Sequence, residues 1–133
     1  MRFSQNNKSG QVKGLGDYSG HIAKAKHNED FVAFISKHDP GANPVFPDWI
    51  VTAIFYTAVH RVDSKLAKAA PPPFDHPSNH ADRNFAVSTY LPKISSYYFL
   101  LKSKSQVARY FVHSEKKIKQ SLISACLGFL SKL

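Results

Sequence analysis

Residues 47–70 decide the fold of this chain, and they read PDWIVTAIFYTAVHRVDSKLAKAA. Apolar side chains, Trp49 among them, occupy most of the circumference of a helix drawn through this stretch, which is typical of the central helix of a bundle. Asp48 is placed to cap its start. Residues 71–73, all proline, end the helix and begin an extended loop, because proline fixes the backbone and disfavours helix just before it. The stretch therefore predicts one central, largely buried helix.

Four further segments have the apolar spacing of helices, so the whole chain is expected to be all-α. The spacing and the capping residues predict helices from Asp17 or Ser19 to about Lys37, from Asn79 to Tyr90, from Pro92 to about Val112, and from Ser114 to Lys132. No stretch of useful length alternates apolar and polar residues as a strand does. Residues 1–16 are polar and contain three glycines, and they are predicted to form a tail or arm. Residues 17–133 then form a single domain, a four- to five-helix antiparallel bundle.

The net charge of +9 is concentrated near the end of the chain. Residues 91–133 hold eight Lys or Arg side chains against one acidic side chain. Such a segment can contact RNA, because neutralising phosphates releases counterions. It is equally typical of a solvated helix face that keeps a protein soluble. The candidate RNA contacts are Lys102, Lys104, Lys116, Lys117 and Lys119.

No segment predicts a membrane partner or a targeting signal. The longest apolar run, residues 49–59, is too short to span a bilayer core of about 30 Å. Residues 1–7 lack an apolar targeting stretch, so a cytoplasmic location is expected. Cys126 lies among apolar residues and is predicted to behave as a small buried hydrophobe.

A polar stripe on the central helix and a histidine-rich segment after it carry the side chains most suited to a site. In a charge-assisted network, Asp63 would orient a histidine and Arg83 would balance the carboxylate. One interpretation is a buried clamp that holds the proline-rich loop against the central helix, and the other is a binding pocket. The residues of this polar cluster are Tyr56, His60, Asp63, His76, His80 and Arg83.

Part of this cluster has the side chains of a metal site. His60, Asp63, His76 and His80 are all zinc-ligand types. Pro77 and the serine after it place His76 in a loop, so the two histidines are not expected to share a helical turn. We therefore predict no metal site in this set, and no cofactor.

Arg109 and His113 stand at the predicted junction of the last two helices. An arginine and a histidine beside a phosphodiester can stabilise charge and move a proton without a metal. The alternative is an arginine that packs between helices and a histidine on the surface. No P-loop, nucleophile elbow or dinucleotide-binding glycine motif is present.

Several of these segments together resemble a bacterial and archaeal branch of the HEPN superfamily of small helical domains. The resemblance covers residues 21 to about 112. It rests on AKHNEDF (25–31), PDW (47–49), FYTAVHRVD (55–63), HPSNHADRN (76–84) and ARY (108–110). It implies an antiparallel bundle that forms dimers, and it places His27 and Asn28 with the polar cluster. Many HEPN domains are metal-independent ribonucleases, and others bind RNA or a partner protein.

The catalytic motif of active HEPN domains is not reproduced here in its usual form. In that motif an arginine, usually followed by a polar residue, precedes a histidine by four to six intervening residues. Arg83 begins the motif but no histidine follows at that distance, and only three residues separate Arg109 from His113. The catalytic candidates implied by the resemblance are Arg109, His113, Arg83 and His80.

The expected function is a HEPN-like module, in a dimer, that binds RNA or a partner protein. The alternatives are a ribonuclease with a non-standard motif and an antitoxin-like or scaffold subunit without nucleic-acid contact.

Overall fold

A computed structural model describes residues 18–40, 44–110 and 120–133. It contains the helices α1 (Tyr18–His38), α2 (Pro47–Ala69), α3 (His80–Tyr90), α4 (Ser95–Tyr110) and α5 (Gln120–Leu130). No strand occurs within those three ranges, so the prediction of an all-α bundle is confirmed. The predicted arm over residues 1–16 and the predicted start of the last helix at Ser114 lie outside the described residues. No helix in the described ranges is long and apolar enough to cross a membrane.

Helix α2 is the centre of the bundle, because it packs against each of the other four helices. Eight of its apolar side chains are at most 5 % exposed: Ile50, Val51, Ile54, Phe55, Ala58, Val59, Val62 and Leu66. Fully burying one side chain of this kind stabilises a fold by about 1.5–3 kcal/mol. The prediction of a central helix from residues 47–70 is confirmed.

Trp49 does not belong to this core, since it is 61 % exposed. It shares one line of α2 with Tyr56 and His60, at spacings of seven and eleven residues. That line is the least buried side of the helix, as Tyr56 is exposed and His60 is half-buried. Trp49, one of the apolar residues that predicted a central helix, therefore lies outside the core.

The start of α2 is held by Asp39 and not by Asp48. The residue that precedes the helix is Phe46, whose side chain makes no capping bond, and Asp48 lies within the first turn. The buried Asp39 carboxylate accepts hydrogen bonds from the backbone N–H groups of Val45 and Phe46, both at 2.6 Å. Asp39 thus links the end of α1 to the segment that enters α2.

The proline-rich loop forms turns, so the prediction of an extended loop is wrong. Phe74 N–H donates to the carbonyl oxygen of Pro71 at 2.8 Å. The Phe74 ring packs against the rings of Phe85 and Tyr90, with centroid distances of 5.0 and 6.1 Å. These apolar contacts draw the loop back onto α3.

Helices α3 and α4 begin differently. The side chain of Asn79 accepts a hydrogen bond from Asp82 N–H at 2.8 Å, so Asn79 caps α3, which begins one residue later than predicted. Helix α4 begins at Ser95, three residues after Pro92, because residues 92–94 form a turn. In that turn Ile94 N–H donates to the carbonyl oxygen of Leu91 at 3.2 Å.

Arg61 joins three helices around the core. It forms an ion pair with Glu29 of α1. It also donates from Nη1 to the carbonyl oxygen of Leu130, the last residue of α5, at 2.9 Å. One side chain of α2 therefore holds both the first and the last helix.

Cys126 is buried, and burial raises the pKa of its thiol to about 11 from an ordinary 9.0. Only the thiolate reacts, and a pKa two units higher lowers the thiolate fraction at pH 8 about 100-fold. We expect the native thiol to react with Ellman's reagent at least that much more slowly than the urea-unfolded chain. Absorbance at a fixed pH measures both rates, and similar rates would contradict the burial of Cys126.

Candidate functional site around the polar side of helix α2

Asp63 of α2 and Arg83 of α3 form a buried, two-pronged ion pair. Arg83 Nε donates to Asp63 Oδ1 at 2.8 Å and Nη2 donates to Oδ2 at 3.1 Å. Nη2 also donates to the carbonyl oxygen of Pro77 at 3.2 Å. The Arg83 and Asp63 side chains are 10 % and 4 % exposed. These contacts, called the clamp below, hold the loop before α3 against α2.

The clamp keeps Arg83 charged in spite of its burial. Desolvation works against the charged form, but the hydrogen bonds and the charge of Asp63 outweigh it, so the pKa of Arg83 is raised. Two parallel hydrogen bonds to one carboxylate give this guanidinium its counter-charge within the protein. Arg83 is therefore not free to take a second anion through those atoms.

His80 begins α3 beside the clamp and is exposed. Its Nδ1 lies 3.5 Å from Arg83 Nη1, and its ring centroid lies 6.2 Å from that of Phe55. Partial burial and the positive charges of Arg83, Lys102 and Arg109 lower the pKa of His80. The imidazole is consequently neutral at pH 7.

Three other residues expected in this cluster make no hydrogen bond to the clamp in the described ranges. His76 pairs with its neighbour Asp75 in the loop, with 2.9 Å between Nδ1 and Oδ1. His27 is exposed on α1 and Asn28 is half-buried. Within the described ranges, no hydrogen bond joins His27, Asn28 or His76 to the clamp.

His21 of α1 is the site residue that sequence reasoning missed. Its Nδ1 lies 3.3 Å from Nδ1 of His60, and the two ring centroids are 5.6 Å apart. One potential ligand atom from each of His21, His60 and Asp63 lies within 4.8 Å of the other two. The sequence did offer one indication of this position. His21 lies four residues before Ala25 and eleven before Val32, a helical spacing that places all three on the buried side of α1.

His60 is neutral at pH 7. Burial is the main reason that its pKa is lowered, and the nearby Asp63 carboxylate only partly opposes this. The imidazole therefore offers a lone pair as well as a proton to its surroundings.

Arg109 of α4 lies among aromatic rings. Its Nη1 donates to the hydroxyl oxygen of Tyr56 at 3.1 Å. Its guanidinium carbon lies 5.5 Å from the ring centroid of Phe55, 5.7 Å from that of Tyr56 and 5.2 Å from that of Tyr110. Among the residues that the structure describes, no carboxylate pairs with Arg109, and its buried Nε has no hydrogen-bond partner.

The basic residues of α4 do not share one face. Lys102 lies close enough to His80 to influence its pKa, whereas Lys104 influences the thiol of Cys126 on α5. Residues two apart on a helix point about 160° away from each other. The other candidate contacts, Lys116, Lys117 and Lys119, lie outside the described residues, as does His113.

Comparison of the chain with known proteins found no relative. No family model, curated protein or solved structure matches the chain. The resemblance to HEPN domains therefore remains an inference from the motifs quoted above.

Proposed function

We propose that this protein is a HEPN-like helical module that binds RNA through one surface of α2, α3 and α4. The surface, called the Arg109 surface, consists of Tyr56, His80, Lys102, Arg109 and Tyr110. The observation that carries the proposal is the Arg109 guanidinium, which lies among aromatic rings without a carboxylate partner in the described ranges.

The pairing of the other arginines supports this choice. Arg61 is paired with Glu29, and Arg83 is paired with Asp63. Of the three arginines in the described ranges, Arg109 is the one whose charge no carboxylate there balances. A phosphate can supply the missing anion, because guanidinium groups bind phosphate oxygens with paired hydrogen bonds.

The rings around Arg109 favour single-stranded RNA. Tyr110 is 71 % exposed and Tyr56 is 37 % exposed, so both can be reached from solvent. Proteins that bind single strands combine positive charge along the backbone with aromatic side chains on which bases stack. Lys102 and Arg109 would contact phosphates, and Tyr110 offers a ring for a base.

The test is the affinity of the full chain for a fluorescein-labelled single-stranded RNA, measured by fluorescence anisotropy at several salt concentrations. Replacing Arg109 with glutamine should weaken binding about tenfold near 0.1 M salt and lower the salt-dependence slope by about one. The loss arises because one phosphate contact and its counterion release disappear.

The matched control is Lys104→Gln, which removes the same charge from the other side of α4. It should change the affinity much less than Arg109→Gln. An equal loss in both variants would mean that only overall charge attracts RNA, and absence of binding at low salt would refute the proposal and favour the scaffold alternative.

A metal-independent ribonuclease is the second candidate, because the neutral, exposed His80 lies on the same surface as Arg109. His80 would accept the proton of the 2′-hydroxyl while that oxygen bonds to the adjacent phosphorus and the P–O5′ bond breaks, which leaves a 2′,3′-cyclic phosphate. Water would protonate the departing 5′-oxygen, and Arg109 would stabilise the negative charge on the non-bridging phosphate oxygens. The same RNA, incubated with excess chelator and analysed on a gel, reports cleavage. Cleavage that Arg109→Gln and His80→Gln both abolish would establish this candidate, and intact RNA would exclude it. Dimer formation stays a prediction.

A further inference from the structure

His21 and His60 face each other across the contact between α1 and α2. The two Nδ1 atoms are 3.3 Å apart. His21 is buried and His60 is half-buried, so bulk water screens this pair only in part. The polar cluster expected from sequence did not include His21, and the RNA-binding proposal uses neither histidine.

The separation of the two nitrogens matches ligands that share one ion. Two Zn–N bonds of about 2.05 Å at a tetrahedral angle place their nitrogens about 3.3 Å apart. A direct N–H···N bond between the rings at this distance would be longer than the N–H···O bonds of proteins, which fall at about 2.7–3.2 Å. Such a bond would also require two different tautomers, with the proton on Nδ1 in one ring and on Nε2 in the other.

Asp63 supplies a third ligand atom beside the two nitrogens. One potential ligand atom on each of His21, His60 and Asp63 lies within 4.8 Å of the other two. The bonds from Arg83 use one lone pair on each Asp63 oxygen, which leaves a second lone pair on each. Arg83 would then orient the carboxylate, as partners behind metal ligands commonly do.

We propose that His21, His60 and Asp63 form a binding site for a divalent transition-metal ion, with Zn²⁺ as the natural occupant. Two imidazoles and one carboxylate are a common ligand set for zinc, and three protein ligands leave a fourth position for water or another small ligand. His76 and His80 take no part, so this set differs from the four residues for which the sequence predicted no metal. The site would join α1 to α2 and is independent of RNA binding.

The experiment is a titration of the full chain, freed of any affinity tag and of bound metal, with Co²⁺ and Zn²⁺. Co²⁺ should give the visible absorption bands of a four-coordinate ion and saturate at one equivalent per chain, and Zn²⁺ should displace it. Calorimetry with Zn²⁺ should show the same stoichiometry. His21→Gln should weaken Zn²⁺ binding about tenfold or more, because one of the two imidazole ligands is lost.

The matched control is His38→Gln, since His38 is also on α1 but is exposed and bonded to the carbonyl oxygen of Phe34. This variant should bind Zn²⁺ like the native chain. If His60→Gln does not fold, as circular dichroism would show, His21→Gln alone decides the matter. Absence of saturable binding by the native chain, or unchanged binding by His21→Gln, would overturn the proposal.

Discussion

Replacing Arg83 with methionine should destabilise the fold by about 3–5 kcal/mol, because it leaves the Asp63 carboxylate buried without a counter-charge. The Asp63 side chain is only 4 % exposed, so water cannot replace the lost guanidinium without opening the contact between α2 and α3. The Pro77 carbonyl would also lose its donor. Urea unfolding followed by circular dichroism measures the change as a shift of the midpoint.

The control for this prediction is an ion pair that is exposed to solvent. Lys26 and Asp30 pair on α1 with side chains 67 % and 63 % exposed, so Lys26→Met should leave the midpoint nearly unchanged. The double variant Asp63→Leu with Arg83→Met should recover much of the stability, because it removes both buried charges. If Arg83→Met costs no more than Lys26→Met, the clamp does not stabilise the fold.

Replacing Phe55 with alanine should cost about 3–5 kcal/mol as well, through the cavity left in the core. Phe55 is fully buried on α2, and its ring centroid lies 5.9 Å from that of Tyr98. The same ring lies beneath the guanidinium of Arg109. Phe55→Ala would therefore remove a buried apolar side chain and also the ring that lies under the guanidinium of Arg109.

Thermal or urea unfolding measures the stability lost in Phe55→Ala and in two comparison variants, Phe34→Ala and Phe55→Leu. Phe34 is 61 % exposed, so Phe34→Ala should have a far smaller effect than Phe55→Ala. Phe55→Leu keeps most of the volume and should cost about 1–2 kcal/mol. Equal costs for Phe55→Ala and Phe34→Ala would show that Phe55 is not part of the core.

The helical organisation could be predicted from sequence because it depends on local patterns. The run of apolar residues in 47–70 is long enough to identify α2 as the central helix, and the predicted helix from Asn79 to Tyr90 matches α3 to within one residue. The start of α2 was predicted less well. Asp48 has the residue type and position of a cap, but the carboxylate that meets the backbone there comes from Asp39, across a connection whose path the sequence does not specify.

The candidate site was harder to predict because its residues meet between helices. Helical spacing placed Asp63 on the polar stripe, and the prediction that Arg83 balances its carboxylate is confirmed. The sequence could not show how Arg109 would be placed relative to the carboxylates. Among the described residues, a carboxylate pairs with Arg83 and none pairs with Arg109, and this difference decides which of them is available to an outside anion. His21 resembles the other histidines of α1 until the register between α1 and α2 is known.

Arg61 gives the bundle a coupling between its two ends. A partial opening that released α5 would break the hydrogen bond from Arg61 to the Leu130 carbonyl. Arg61 would then keep only its ion pair with Glu29. Loss of α1 would remove the other partner. Local openings of a protein follow the contacts that bind its segments into cooperative units. Because this one side chain contacts both helices, we expect α1 and α5 to open as one unit, although they stand at opposite ends of the described chain. Hydrogen exchange should then show amide hydrogens in both helices protected to a similar degree.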